Sequence, residues 1–69
     1  NYLMGNFELA IQFFSTASFA NPNYSAAYYG IGLCYKEIGK QELAKENFEK
    51  VLSLEPEDEL AQIELNKLR

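Results

Sequence analysis

A period of 34 residues restricts the fold of this chain more than any other feature of its sequence. When the 69-residue sequence is shifted against itself by 34 positions, four landmarks coincide in pairs. The pairs are Gly5 with Gly39, Ala10 with Ala44, Phe14 with Phe48, and Pro22 with Pro56. A period of this length is typical of arrays in which each unit buries a hydrophobic face only by stacking on its neighbours.

Each landmark has a physical role in a pair of packed helices. The glycines allow a sharp turn with positive φ between two helices. The alanines let two helix backbones approach closely, and the phenylalanines fill the space one turn further on. The prolines prevent one helix pair from continuing into the next. The sequence therefore predicts alternating helices with short turns.

Apolar residues recur at steps of three and four, which predicts helices along most of the chain. The two prolines divide the chain into blocks at residues 6–21, 23–54 and 57–68. The middle block is too long for one ordinary helix, and Gly39 is expected to split it. No segment alternates with a period of two residues, so no strand is expected. Asn23 and Asp58, each shortly after a proline, are predicted to be N-caps.

The repeated pattern resembles the tetratricopeptide repeat, a helix–turn–helix unit of 34 residues. The matching landmarks are Tyr28 in the usual place of Trp, Ile31-Gly32 in the place of Leu-Gly, and Tyr35, Gly39, Ala44, Phe48 and Pro56. The resemblance implies an all-α fold of antiparallel helix–turn–helix repeats that form a short right-handed superhelix, a fragment of an α-solenoid.

The same register divides the chain into parts. Residues 1–24 resemble the end of one repeat, residues 25–58 a complete repeat, and residues 59–69 a capping helix or the start of a next repeat. Asn66 and Arg69 stand where the Gly and the Tyr of a new repeat are usual. These departures favour a polar capping helix. Asn1 falls within a repeat and not at its start, which also suggests that the chain is a piece of a longer protein.

Composition excludes several classes of function. The sequence has no His and one Cys, which removes the usual general base, the Ser-His and Cys-His pairs and most zinc sites. We therefore predict that the chain is not an enzyme and needs no cofactor or metal. The net charge of −4 without clustered Lys or Arg predicts that the chain has no nucleic-acid partner. No apolar run is long enough to span a membrane and no signal peptide is visible, which favours the cytoplasm.

Charge is distributed unevenly along the chain. Residues 1–35 contain a single charged side chain, Glu8, and nine of the ten aromatic residues. An isolated domain normally spreads charge over its surface. The first half is therefore expected to pack against more protein, either the rest of a longer chain or a partner, and homo-oligomers are one alternative.

Three weaker signals are interpreted structurally. Gly30 and Gly32 lack the third glycine and the preceding strand of a nucleotide-binding fingerprint, so we expect Gly32 to permit close helix packing instead. Cys34 lies on the predicted buried face, where it is expected to be an inert thiol. Asn23 begins a glycosylation sequon, but a helix cap is the preferred role in the absence of secretory features.

The resemblance implies a binding groove lined by the first helix of each unit. Carried onto this chain, that face holds Ala26, Tyr29, Leu33, Lys36, Glu37, Leu60, Ile63 and Lys67, with Tyr2 as a contributor from the preceding helix. Some family members hold an acidic chaperone tail with Lys, Arg and Asn side chains. The matching positions here are Tyr29, Gly30, Leu33, Leu60 and Glu64, so this clamp is absent.

We therefore predict a non-catalytic module for protein–protein interaction, which binds a peptide or partner helix in a concave, largely apolar groove. Phe19, whose counterpart in the next repeat is Ser53, is predicted to mark a second interface. The alternative is a structural assembly module that self-associates or packs within a larger repeat protein.

Overall fold

The computed structural model describes residues 6–68, which form four helices. These are α1 (Phe7–Ala20), α2 (Ser25–Glu37), α3 (Gln41–Leu54) and α4 (Glu59–Lys67). No strand occurs among the described residues. The predicted all-α, helix–turn–helix architecture is confirmed. Tyr2, Gly5 and Arg69, to which the sequence analysis assigned roles, lie outside the described residues.

The turn between α2 and α3 depends on Gly39, as the sequence predicts. Gly39 has a backbone φ of +86°, a conformation that residues with a Cβ rarely adopt. Its backbone N–H donates to the carbonyl of Lys36 (3.2 Å), and the next N–H, of Lys40, donates to the carbonyl of Tyr35 (2.9 Å). These two bonds form a Schellman motif, which satisfies carbonyls at the end of α2.

The caps of the helices follow the repeat register. Asp58 is the N-cap of α4, since its Oδ1 accepts from the backbone N–H of Ala61 (3.1 Å), which confirms the prediction. Asn6 caps α1 in the same way, through a bond from the N–H of Leu9 (3.2 Å).

The prediction that Asn23 caps α2 is wrong. Because α2 begins at Ser25, the cap position falls on Tyr24, which makes no side-chain capping bond. Asn23 lies one residue earlier in the turn, where its backbone N–H donates to Oδ1 of Asn21 (3.3 Å). In the 34-residue register Tyr24 corresponds to Asp58, so the two sites are equivalent in position but differ in side-chain chemistry.

The second helix is the centre of the packing. It contacts α1 on one side and α3 on the other, while α4 packs on α3. The core cluster is built from small and large side chains of α3 and α4: Ala44, Phe48, Val51, Ala61 and Leu65. The buried landmarks Ala44 and Phe48 thus occupy the places that the repeat pattern predicts.

Two glycines let the neighbouring helices approach α2 closely. A Cβ placed on Gly30 would lie 2.6 Å from the ring of Phe14 in α1. A Cβ placed on Gly32 would lie 2.7 Å from the ring of Phe48 in α3. Both rings therefore rest against the backbone of α2, where an added Cβ would force them to shift. This confirms the expected role of Gly32, whereas the same role of Gly30 was not predicted.

Candidate functional site

The predicted groove residues of α2 differ in burial. Tyr29 and Leu33 are half-buried and pack against the core cluster, and the ring centroid of Tyr29 lies 5.6 Å from that of Phe48. Ala26 and Glu37 are exposed. Tyr29 and Leu33 thus support the core and keep part of their surface accessible to solvent.

The predicted groove residues of α4 are more accessible. Leu60 is 59% exposed and Ile63 is 48% exposed. Their neighbours Ala61 and Leu65 are buried in the core. A surface helix of a small domain normally has one apolar stripe, which faces the core. The nine residues of α4 instead present apolar side chains both to the core and to solvent.

Two lysines of the predicted groove converge on one carboxylate. Nζ of Lys36 in α2 donates to Oε1 of Glu64 in α4 at 2.7 Å. Nζ of Lys67, one turn further along α4, lies 3.9 Å from Oε2 of the same residue. Glu64 is buried, and the ammonium groups of Lys36 and Lys67 compensate the negative charge of its carboxylate from two sides.

The ion pair changes the titration of Lys36. Its hydrogen bond to Glu64 raises the pKa of the Lys36 ammonium above the ordinary value of 10.5, and partial desolvation opposes this shift. Lys36 consequently stays positively charged across the neutral range, and its charge is directed at a residue of its own chain.

The role of Glu64 was not predicted from the sequence. There, Glu64 marked only a position that lacks the side chain of a chaperone-tail clamp. The i, i+3 spacing from Glu64 to Lys67 is visible in the sequence, but Lys36 lies 28 positions away, and only the packed fold brings it to Glu64.

The second candidate surface is on α1. Phe19 is 90% exposed, and Phe13, which the sequence analysis did not select, is 68% exposed. Their counterparts 34 positions later are Ser53 and Asn47, which are polar. Comparison of the two repeats could have identified Phe13 in the same way as Phe19.

Cys34 is the other reactive side chain that the sequence singles out. Cys34 is buried, and burial raises the pKa of its thiol, with a smaller contribution from the charge of Glu37. Within residues 6–68 no group of His, Cys, Asp and Glu side chains is placed to hold a metal ion. No helix in this part of the chain is long and apolar enough to cross a membrane.

Comparison with protein-family models identifies the repeat. The family model for the tetratricopeptide repeat matches residues 25–58. These residues comprise α2, the Gly39 turn, α3 and the Asp58 cap. No curated protein gives a significant match to the chain.

Proposed function

Because residues 25–58 belong to the tetratricopeptide repeat family, we propose that the chain is a non-catalytic interaction module whose α2–α4 face binds a peptide or partner helix. Tetratricopeptide repeats generally mediate protein–protein interaction or assembly, and they are generally not catalytic. The proposed binding face comprises Ala26, Tyr29, Leu33, Lys36, Glu37, Leu60, Ile63 and Lys67.

The apolar outer face of α4 carries this proposal. Leu60 and Ile63 expose about half of their surfaces, although the core already uses Ala61 and Leu65 on the other side of the helix. Covering an exposed aliphatic side chain stabilises a complex by roughly 1.5–3 kcal/mol when burial is complete. A partner that presents leucine-like or aromatic side chains to this face gains most from binding there.

The electrostatics of the same face support an amphipathic partner over an acidic tail. Lys36 donates to Glu64, and Lys67 lies on the other side of the same carboxylate. An acidic ligand would have to compete with Glu64 for both ammonium groups and leave a buried carboxylate without compensation, which costs several kcal/mol. Apolar contacts therefore dominate the proposed recognition.

A peptide selection followed by NMR mapping tests the proposal. Helical peptides are selected from a displayed library against the folded chain, and the best one is titrated into 15N-labelled protein. We expect chemical-shift changes on α2 and α4. Leu60→Ala and Ile63→Ala should each weaken binding by about tenfold, equivalent to 1.4 kcal/mol.

Leu43→Ala is the matched control, since Leu43 is also partly exposed but lies on α3. Tyr29→Ala and Leu33→Ala extend the map to α2, with unfolding measured in parallel because both side chains pack on the core. Equal affinity of the wild type, the Leu60 variant and the Ile63 variant would reject the groove.

Self-association through α1 is the second candidate function. It is favoured by the exposure of Phe13 and Phe19 at positions whose repeat counterparts are polar. Sedimentation of the wild type and of Phe13→Asn and Phe19→Ser, which copy those counterparts, tests it. A concentration-dependent mass that both substitutions abolish supports this function, and a monomeric wild type rejects it.

A further inference from the structure

The outer face of α1 differs in chemistry from the matching face of α3. We define this face by six exposed residues that share one side of the helix and carry no charge: Leu9, Gln12, Phe13, Thr16, Phe19 and Ala20. Two of their counterparts on α3, Glu46 and Lys50, are charged. An exposed helix face with two phenylalanines and no charge is typical of a surface that contacts another protein.

This face stays accessible when helices pack on both sides of it. The third helix has α2 and α4 as neighbours. None of the six counterparts on α3 is buried, and four of them are exposed: Leu43, Glu46, Lys50 and Ser53. Since Ser53 is exposed between two neighbouring helices, the exposure of Phe19 at the matching position does not require α1 to lie at the end of an array.

The spacing of the two phenylalanines is symmetric about Thr16. Phe13 lies three residues before Thr16 and Phe19 lies three residues after it, which is a rise of about 4.5 Å along the helix in each direction. When two copies of α1 meet antiparallel at Thr16, Phe13 of each copy lies level with Phe19 of the other. This is the pattern of an isologous contact, in which residue i meets residue j and j meets i.

The charge of α1 favours the antiparallel orientation. The helix contains a single charged residue, Glu8, near its N-terminus. A parallel pair would place the two Glu8 carboxylates at the same level. The antiparallel pair separates them by about 24 Å of helix rise, well beyond the Debye length of about 8 Å at physiological ionic strength. The contact therefore brings no like charges together.

We propose that the outer face of α1 binds the same face of a second copy of this chain in an antiparallel dimer with two-fold symmetry. The inference rests on self-association through α1, the second candidate function, and it is independent of peptide binding to the α2–α4 face. Such a contact closes on itself, so assembly stops at two copies.

The area of this contact indicates a weak dimer. Phe13 is 68% exposed and Phe19 is 90% exposed. With about 150–250 Å² for each buried aromatic side chain, the four rings of two copies would bury roughly 500–800 Å². This is below the roughly 1,200 Å² at which stable interfaces begin, so the dimer forms only at high protein concentration.

Disulfide trapping tests the dimer. Cys34 is replaced by alanine, and variants are oxidised at about 100 μM, a concentration that suits a weak interface. Thr16→Cys lies on the symmetry axis, where the antiparallel dimer brings it to its own copy. Lys50→Cys, its counterpart on α3, is the matched control. We expect linked dimers of Thr16→Cys to form about tenfold or more faster than those of Lys50→Cys, and Phe19→Ser added to Thr16→Cys should remove this advantage.

A mixture of two further variants identifies the orientation. Gln12 and Ala20 lie four residues before and four residues after Thr16. In the antiparallel pair these two positions are level, whereas like positions are about 12 Å apart along the helix. Gln12→Cys and Ala20→Cys should therefore link to each other faster than either links to itself. Linking of each variant mainly to itself overturns the proposal, and so do equal rates for Thr16→Cys and Lys50→Cys.

Sedimentation separates this proposal from the function on which it rests. The mass of the wild type should rise with concentration and level off at two copies. A mass that continues to rise beyond two copies overturns the two-fold dimer but leaves self-association in place. A wild type that stays monomeric at every concentration rejects both.

Discussion

At the scale of single residues, Cys34 combines a reactive side chain with a protected position. The thiol is buried in α2, and burial raises its pKa, so little thiolate is present near neutral pH. We predict that native protein reacts with a disulfide reagent at least about 100-fold more slowly than unfolded protein, corresponding to an opening free energy of about 3 kcal/mol.

The measurement is the rate of thiol modification at pH 8 in buffer and in urea. Ser18→Cys in a Cys34→Ala background is the matched control, since Ser18 lies on the solvent-accessible part of α1 and is only half-buried. The control thiol should react quickly without urea. Equally fast modification of native Cys34 would show that the core around it is open.

Individual core positions were predictable because the repeat itself identifies them. Ala44 and Phe48 recur 34 positions after residues of the same type, and a recurring small–large pair indicates a packed contact. Glu64 was not predictable in this way. Its counterpart is Gly30, so the register gives no precedent for a buried carboxylate, and its partner Lys36 becomes adjacent only after folding.

At the scale of helices, α2 and α4 differ at their N-termini. Asp58 caps α4 with a side-chain hydrogen bond, whereas Tyr24 at the equivalent position of α2 provides none. We predict that substitutions at these two positions change the stability of the protein in opposite directions. Asp58→Ala should destabilise the protein by about 1 kcal/mol, and Tyr24→Asp should stabilise it by about 0.5–1 kcal/mol.

Urea unfolding followed by circular dichroism measures both changes. Asn23→Asp is the control, because Asn23 lies one residue before the cap position of α2 and a carboxylate there is not expected to cap. If Asn23→Asp stabilised the protein as much as Tyr24→Asp, a general effect of negative charge near the helix would explain the result. Stabilisation by Tyr24→Asp alone supports the cap.

The Lys36–Glu64 pair links α2 to α4 in a pH-dependent way. Because the pKa of Lys36 is raised in the folded state, its contribution to stability is complete below the ordinary value of 10.5 and disappears as the pH rises through the folded pKa. We predict that Lys36→Met costs about 1–2 kcal/mol near neutral pH and that this difference shrinks above pH 10.5.

Unfolding free energies of the wild type and Lys36→Met are compared between pH 7 and the alkaline range. Lys36→Arg is the control, since a guanidinium stays protonated there and its advantage over Met should persist. A difference between the wild type and Lys36→Met that remains constant up to alkaline unfolding would contradict the role of the Lys36 ammonium.

At the scale of the whole molecule, α1 and α3 are equivalent in sequence register but not in surroundings. The third helix packs on both α2 and α4, whereas within the described residues α1 packs mainly on α2. We predict that backbone amides of α1 exchange with deuterium about tenfold or more faster than those of α3. Phe14 and Phe48 form a pair for direct comparison.

Hydrogen–deuterium exchange is measured by NMR at low temperature, which resolves the individual amides of α1 and α3. A peptide bound to the α2–α4 face should slow exchange in those helices and leave the difference between α1 and α3 in place. Equal protection of Phe14 and Phe48 would contradict the unequal packing. If α1 associates with a second molecule, the protection of its amides from exchange should instead increase as the protein concentration is raised.

The fold of the whole molecule was more predictable than its proposed binding face. Helix boundaries followed from proline, Gly39 and apolar periodicity, which are local signals. The exposure of Leu60 and Ile63 depends on how α4 is oriented on α3, and periodicity does not determine this orientation. The family resemblance supplied the groove residues, and their binding role stays a prediction.

The placement of the two phenylalanine–glycine contacts also affects how the chain folds. Phe14 and Gly30 are separated by sixteen positions, and so are Gly32 and Phe48. Closing either helical hairpin therefore costs the chain nearly the same entropy. Burial distinguishes them, because Phe48 is fully buried in the cluster that α4 completes.

We therefore expect the transition state for folding to contain the α2–α3 hairpin, with a φ-value for Phe48→Leu above that for Phe14→Leu. Stopped-flow folding kinetics of the two variants measure both values, and the reverse order would place the nucleus in the first hairpin. With equal loop lengths on both sides of α2, the order of events is decided by the amount of apolar surface each side buries.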